Sequence, residues 1–166
     1  MPDLIVHTIA GYIVMSKKRR SWFLPSVLLL GCIFPDLVRG PVLVFQTTLS
    51  AYGIRPPSQQ DLVSLHILHS PIPLLVQAWL VSFLFEKKLR KKVFLNFSGG
   101  ITLHLLLDAC QRAYHISYLW LFPFSFDNPI PGLWWADDGI WITPIALFLG
   151  IIVVLVRNRN TTPVQR

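Results

Sequence analysis

The chain has 166 residues, 53% of them apolar and only 14% charged, with a net charge of +7 from 15 Lys and Arg against 8 Asp and Glu. A mean hydropathy of +0.54 leaves too little charge to cover the surface of an ordinary water-soluble domain of this size. The positive charge sits in short clusters between apolar runs (Lys17-Lys18-Arg19-Arg20, Lys87-Lys88 with Arg90-Lys91-Lys92, Arg157 with Arg159). That pattern speaks for the cytoplasmic loops of a multi-pass protein and against a nucleic-acid-binding patch.

In chain order, Leu4–Met15 is a short apolar run interrupted by His7 and ended by the first basic cluster. It falls below the roughly 20 apolar residues a full span needs. It lacks a basic n-region and a small-x-small site, so no cleavable signal peptide is expected. Trp22–Phe34 is the next run, and Pro35-Asp36 is expected to end it, because the residue before a proline usually leaves the helix. Gly40–Gln60 reads as a loop with its clearest break at Arg55-Pro56-Pro57. Leu62–Phe85 has the length of a span. It carries His66 and His69 near its start, and Pro71 and Pro73 should kink or unwind it there.

Glu86–Lys92 reads as a basic turn. Val93–Ala109 follows, with Gly99-Gly100 suited to close helix packing. Gln111–Gly139 is rich in aromatic residues and prolines and reads as an interfacial loop or broken helix on a membrane surface. Ile140–Val156 is the last span. The expected fold is thus an all-α, multi-pass transmembrane helical bundle of four to five segments with an aromatic interfacial loop. Residues 1–160 form a single integral membrane domain and 161–166 a polar tail.

The chemistry is anchored on His104 and Asp108, four positions apart and therefore on one helix face. An ionisable pair inside an apolar segment is costly, which makes it a candidate site; a helix-packing His–Asp hydrogen bond is the plainer reading. With the basic clusters placed on the cytoplasmic side, His7, Asp36, His66, His69, His104 and Asp108 all fall near the outer ends of their runs. At about 1.5 Å per residue, His7, His69 and His104 lie roughly 7–11 Å in from those ends. Unrelated packing groups would scatter through depth. Histidines mixed with carboxylates suit zinc or another divalent transition metal better than calcium or magnesium. Asp3 stands four residues before His7 as an orienting partner. His115, Asp127, Asp137 and Asp138 lie in the outer loop, and Asp137 or Asp138 is the candidate general base.

Cys32 and Cys110 do not make a disulfide framework, although one bridge stays open. A nucleophilic serine is disfavoured, since no Gly-x-Ser-x-Gly exists.

Several short pieces, in order and spacing, resemble the YdjM-like family of predicted inner-membrane metal-dependent hydrolases. They are Val6-His7-Thr8 with Gly11, Phe34-Pro35-Asp36, Leu68-His69-Ser70, Gly100 through His104 to Asp108, and Phe122-Pro123-Phe124-Ser125. The chain departs from the family pattern at Val38, where a second Asp is usual, and at Ser64, where an earlier His is usual, with His66 as its substitute. The expected function is a membrane-embedded, metal-dependent hydrolase of the inner (plasma) membrane. It would act on an amphiphilic ester or phosphodiester among membrane lipids and bind no nucleic acid. The metal ligands would be His7, Asp36, His69, His104 and Asp108, with His66 beside them. The alternative is a non-enzymatic metal-binding scaffold or a small transporter-like protein.

Overall fold

The computed structural model describes residues 4–15, 23–51, 58–112, 118–134 and 139–159. Its helices are α1 (Leu4–Val14), α2 (Phe23–Ala51), α3 (Gln59–Leu68), α4 (Pro71–Phe83), α5 (Lys87–Ala109) and α6 (Gly139–Arg159). Among the described residues there is no β-strand beyond one isolated bridge, Gln111 to Trp134. The all-helical expectation therefore holds.

The membrane part of that expectation does not. No helix, over its described residues, is long and apolar enough to cross a membrane. The 11, 10 and 13 residues of α1, α3 and α4 are short of the roughly 20 that a bilayer core demands. Although α5 has 23 residues, it opens on Lys87, Lys88, Arg90, Lys91 and Lys92. In α2 and α6 the described side chains cover 23–38 and 141–156. The multi-pass bundle, the inner-membrane location with cytoplasmic basic loops and the interfacial placement of the aromatic loop are corrected accordingly.

The central pair is α2 against α5; α4 also packs on α5, and α1 packs against α2, α5 and α6. Two glycines set the closeness of the α2–α5 crossing. A Cβ on Gly31 would stand 2.2 Å from the Phe97 carbonyl oxygen, and one on Gly100 would stand 2.1 Å from that of Leu28. Only glycine lets two backbones approach so far. Gly99, by contrast, faces open space. Below this crossing Val27, Leu74, Ala78, Val93, Phe97 and Ile101 form the buried apolar core, and Phe34 meets Phe97 edge-on at 5.2 Å.

Two boundaries differ from the sequence expectation. The run from Trp22 does not end at Pro35-Asp36, because α2 continues through both to Ala51 and takes up much of the expected loop. A proline inside a helix forfeits the bond to the carbonyl four residues earlier; here that is the carbonyl of Gly31, at the tight crossing. The Leu62–Phe85 run does break as its prolines suggest. Helix α3 stops at Leu68, and α4 starts at Pro71 after Ser70 in an extended conformation (φ −80°, ψ 158°). Pro71 fits the first helical position, where no N–H is required. His69 stands in this break, its N–H still bonded to the Leu65 carbonyl. The basic turn at 86–92 is instead the first two turns of α5, preceded by Glu86.

The described part of the aromatic segment, residues 118–134, is irregular, as expected, and is pinned to the C-terminus of α5. The Leu133 and Trp134 N–H groups both donate to the Cys110 carbonyl, and the Arg112 N–H donates to that of Trp134. Gly132 makes the approach possible. Its φ is +70°, and a Cβ there would stand 2.5 Å from the Arg112 nitrogen.

Candidate metal centre

Helix α5 presents Gly100, His104 and Asp108 along one face at four-residue spacing, all three buried. The tight contact at Gly100 brings the next turn of α2 over His104. There the Nδ1–H of His104 donates to the Cys32 carbonyl oxygen at 2.8 Å. This fixes the tautomer and leaves Nε2 as the nitrogen facing the centre. The Nδ1–H of His69 makes a longer bond, 3.4 Å, to the Pro35 carbonyl, so its Nε2 also points inward. Helix α1 supplies His7. Its neighbour one turn on, Gly11, packs against Cys32 and Leu29, and the Cys32 thiol donates to the His7 carbonyl at 3.1 Å. Cys32 thus ties both flanking helices to the site through its own backbone and side chain.

The side chains converge closely. Asp108 Oδ2 lies 2.9 Å from His69 Nε2 and 3.2 Å from His104 Nε2, while its Oδ1 lies 3.5 Å from His7 Nε2. His69 Nε2 and His104 Nε2 are 3.3 Å apart. Asp36 closes the rim, with Oδ2 3.8 Å from His7 Nε2 and Oδ1 4.0 Å from His104 Nε2. His7 and His104 are wholly inaccessible, Asp108 is 1% exposed and the Asp36 side chain 16%.

Burial alone would raise the Asp108 pKa, but hydrogen bonds from His104 and His69 outweigh it and hold the carboxyl well below the ordinary range. Burial likewise disfavours a charged His104, yet the Asp108 hydrogen bond and the charges of Asp108 and Asp36 raise its pKa overall. Burial pushes the Cys32 thiol up to about 12.

Of the expected ligands, His7, Asp36, His69, His104 and Asp108 come together. Two sets, His7 with Asp36 and His104, and His69 with His104 and Asp108, each place ligand atoms within 4.8 Å of one another. His66 does not join them. Because α3 ends at Leu68, His66 stays on the helix while His69 turns into the site. His66 lines a cleft with His69, Ser70, Leu105, Tyr118 and Trp120. Asp127 is also outside, in an exposed turn where it accepts a hydrogen bond from Ser125. Asp3, His115, Asp137 and Asp138, the last two being the candidate bases, lie outside the described residues. Both cysteines are free thiols.

The donor set fits a divalent transition metal. Both ring nitrogens of His7 are buried without a hydrogen-bond partner, a costly arrangement unless a ligand satisfies one of them. Around a tetrahedral ion with bonds of about 2.0–2.1 Å, ligand atoms stand about 3.3 Å apart. The 2.9, 3.2 and 3.3 Å edges of the His69–His104–Asp108 triangle agree with that.

Cys32 and the carbonyl of Pro35 belong to the site although neither was among the expected site groups. A signal for Cys32 existed: it precedes Asp36 by four residues, so on an uninterrupted helix the two share a face.

No family model, curated protein or solved structure matches the chain.

Proposed function

We propose that the protein is a metal-dependent hydrolase whose ion is held by His69, His104 and Asp108, with His7 and Asp36 beside it. The observation that carries this reading is the convergence of three imidazoles and two carboxylates from four separate stretches of chain, with both ring nitrogens of the buried His7 lacking a hydrogen-bond partner. The motif resemblance to the YdjM-like family points to the same chemistry. Such an ion supplies Lewis-acid activation of a water and of the scissile carbonyl or phosphoryl oxygen.

The chain's own residues do the rest. The Cys32 and Pro35 carbonyls hold the imidazoles of His104 and His69 in the ligating tautomer. Asp36, the most open member of the cluster, faces the incoming substrate. The apolar side chains of Leu105, Tyr118 and Trp120 border His69, in keeping with an ester or phosphodiester that carries an apolar portion. Zinc is the ion the mixed His and carboxylate set fits best.

The test is turnover of p-nitrophenyl butyrate and bis-p-nitrophenyl phosphate by purified protein loaded with zinc or manganese. Metal-dependent turnover that disappears in His104→Ala supports the reading. Bound metal with no turnover of any ester or phosphodiester supports the second reading, a non-enzymatic metal-binding scaffold, which the near-complete burial of His7, His104 and Asp108 favours.

A further inference from the structure

The proposed hydrolytic site has more donor atoms than one ion can use, and their directions divide them. His7 and His104 are stacked, with ring centroids 3.9 Å apart and planes inclined by only 23°. A metal sits close to the plane of the imidazole that binds it, about 2.0–2.1 Å from the nitrogen. Two planes so nearly parallel meet far beyond that reach, so a single ion cannot lie in both. The two ligand sets share His104, whose Nδ1 is already committed to the Cys32 carbonyl. Its one remaining lone pair on Nε2 serves one ion only.

Asp108 can serve two. Its Oδ2 faces His69 and His104, and its Oδ1 faces His7. Asp36 divides in the same sense, Oδ2 towards His7 and Oδ1 towards His104. The unsatisfied, fully buried His7 stands on the side that the first ion leaves unused.

We infer that the centre is binuclear: one divalent ion on His69, His104 and Asp108 Oδ2, a second on His7 and Asp36, and the Asp108 carboxylate bridging them. This rests on the metal-centre reading above and goes beyond it in the number of ions and in the role of His7. Paired ions of this kind stand about 3.5–4 Å apart and clamp the attacking and leaving oxygens of an in-line displacement. Within the substrate classes proposed, a bridged pair favours the phosphodiester over the simple ester.

The experiment is a titration of the metal-free full chain with manganese, read by calorimetry, elemental analysis and electron paramagnetic resonance. The expected result is two equivalents of manganese and an exchange-coupled multiline spectrum. Asp36→Asn should then retain one equivalent and show the six-line spectrum of isolated manganese, with its melting transition confirming the fold. The wild-type stoichiometry and spectrum decide the question without any variant. One equivalent in the wild type overturns the binuclear inference and leaves the metal-centre reading standing. Two equivalents without coupling overturn the Asp108 bridge. No bound manganese, zinc or cobalt overturns both readings.

Discussion

Cys32 and His104 are joined across the α2–α5 crossing by a 2.8 Å hydrogen bond from the imidazole Nδ1–H to the backbone carbonyl. That bond depends on Gly100, one turn before His104, where a Cβ would meet the Leu28 oxygen at 2.1 Å and the Cys32 nitrogen at 2.6 Å. Both obstacles are backbone atoms, so the helices themselves would have to part. Gly100→Ala should destabilise the fold by about 1–3 kcal/mol and weaken metal binding with it. Gly99→Ala meets nothing within 4 Å and should be neutral or stabilise by up to about 0.5–1 kcal/mol through helix propensity. Denaturant titration of the two variants checks this; equal losses would contradict the close crossing.

The two cysteines should differ sharply in reactivity. The Cys32 thiol is fully buried, donates to the His7 carbonyl and titrates only near 12. Thiolate is the reactive species, so Cys32 should resist a maleimide at pH 7.5 while the partly exposed Cys110 is labelled. Mass spectrometry should find a single adduct in native buffer and a second after denaturation. Rapid double labelling of native protein would show that α1 and α2 part more readily than the packing implies.

The candidate site was legible in the sequence to the extent that helical period alone fixes it. His104 and Asp108 lie on one face because four residues make about one turn, and the break that frees His69 is written in Pro71 and Pro73. Two things were hidden. Pro35 reads as a helix end, yet α2 runs through it to Ala51, since the close packing of α2 on α5 at Gly31 overrides the lost backbone bond. The apolar surplus was also misread. Composition assigns it to membrane spans, whereas no helix, over its described residues, is long and apolar enough to cross one; part of the surplus is exposed on α4 and α6, as at Trp79, Leu80 and Trp141. Composition counts apolar residues but does not say which face they occupy.

Asp108 and Asp36 should respond very differently to neutralisation in metal-free protein. Asp108 is 1% exposed and accepts from two histidines at 2.9 and 3.2 Å. Replacing one partner of a buried charged pair typically costs about 3–5 kcal/mol, and Asp108→Asn should fall in that range. Asp36 stands 3.8–4.0 Å from its histidines, beyond hydrogen-bond reach, so Asp36→Asn should cost clearly less than Asp108→Asn. Unfolding in the presence of a chelator gives both numbers. A cost for Asp36→Asn as large as that for Asp108→Asn would mean that the rim carboxylate is an integral part of the buried pair network.

Acidity should act on the metal-free and metal-loaded forms in opposite directions. The Asp108 pKa is lowered in the fold, so its stabilisation is present above the unfolded value of about 3.9 and is lost as pH falls through the folded value. The His104 pKa is raised, so its stabilisation is fully present below the unfolded value of about 6.5 and is lost as pH rises through the folded value. Metal-free protein should therefore melt highest in the mildly acidic range and lose stability towards pH 8. Metal binding requires the His104 Nε2 proton to leave, so affinity should rise by up to about tenfold per pH unit while that proton is being displaced. Melting curves with and without zinc at pH 6, 7 and 8 should show a zinc-induced increment that widens as pH rises. An increment that shrinks over that range would mean that zinc binds elsewhere and that the His104–Asp108 pair stays protonated and metal-free.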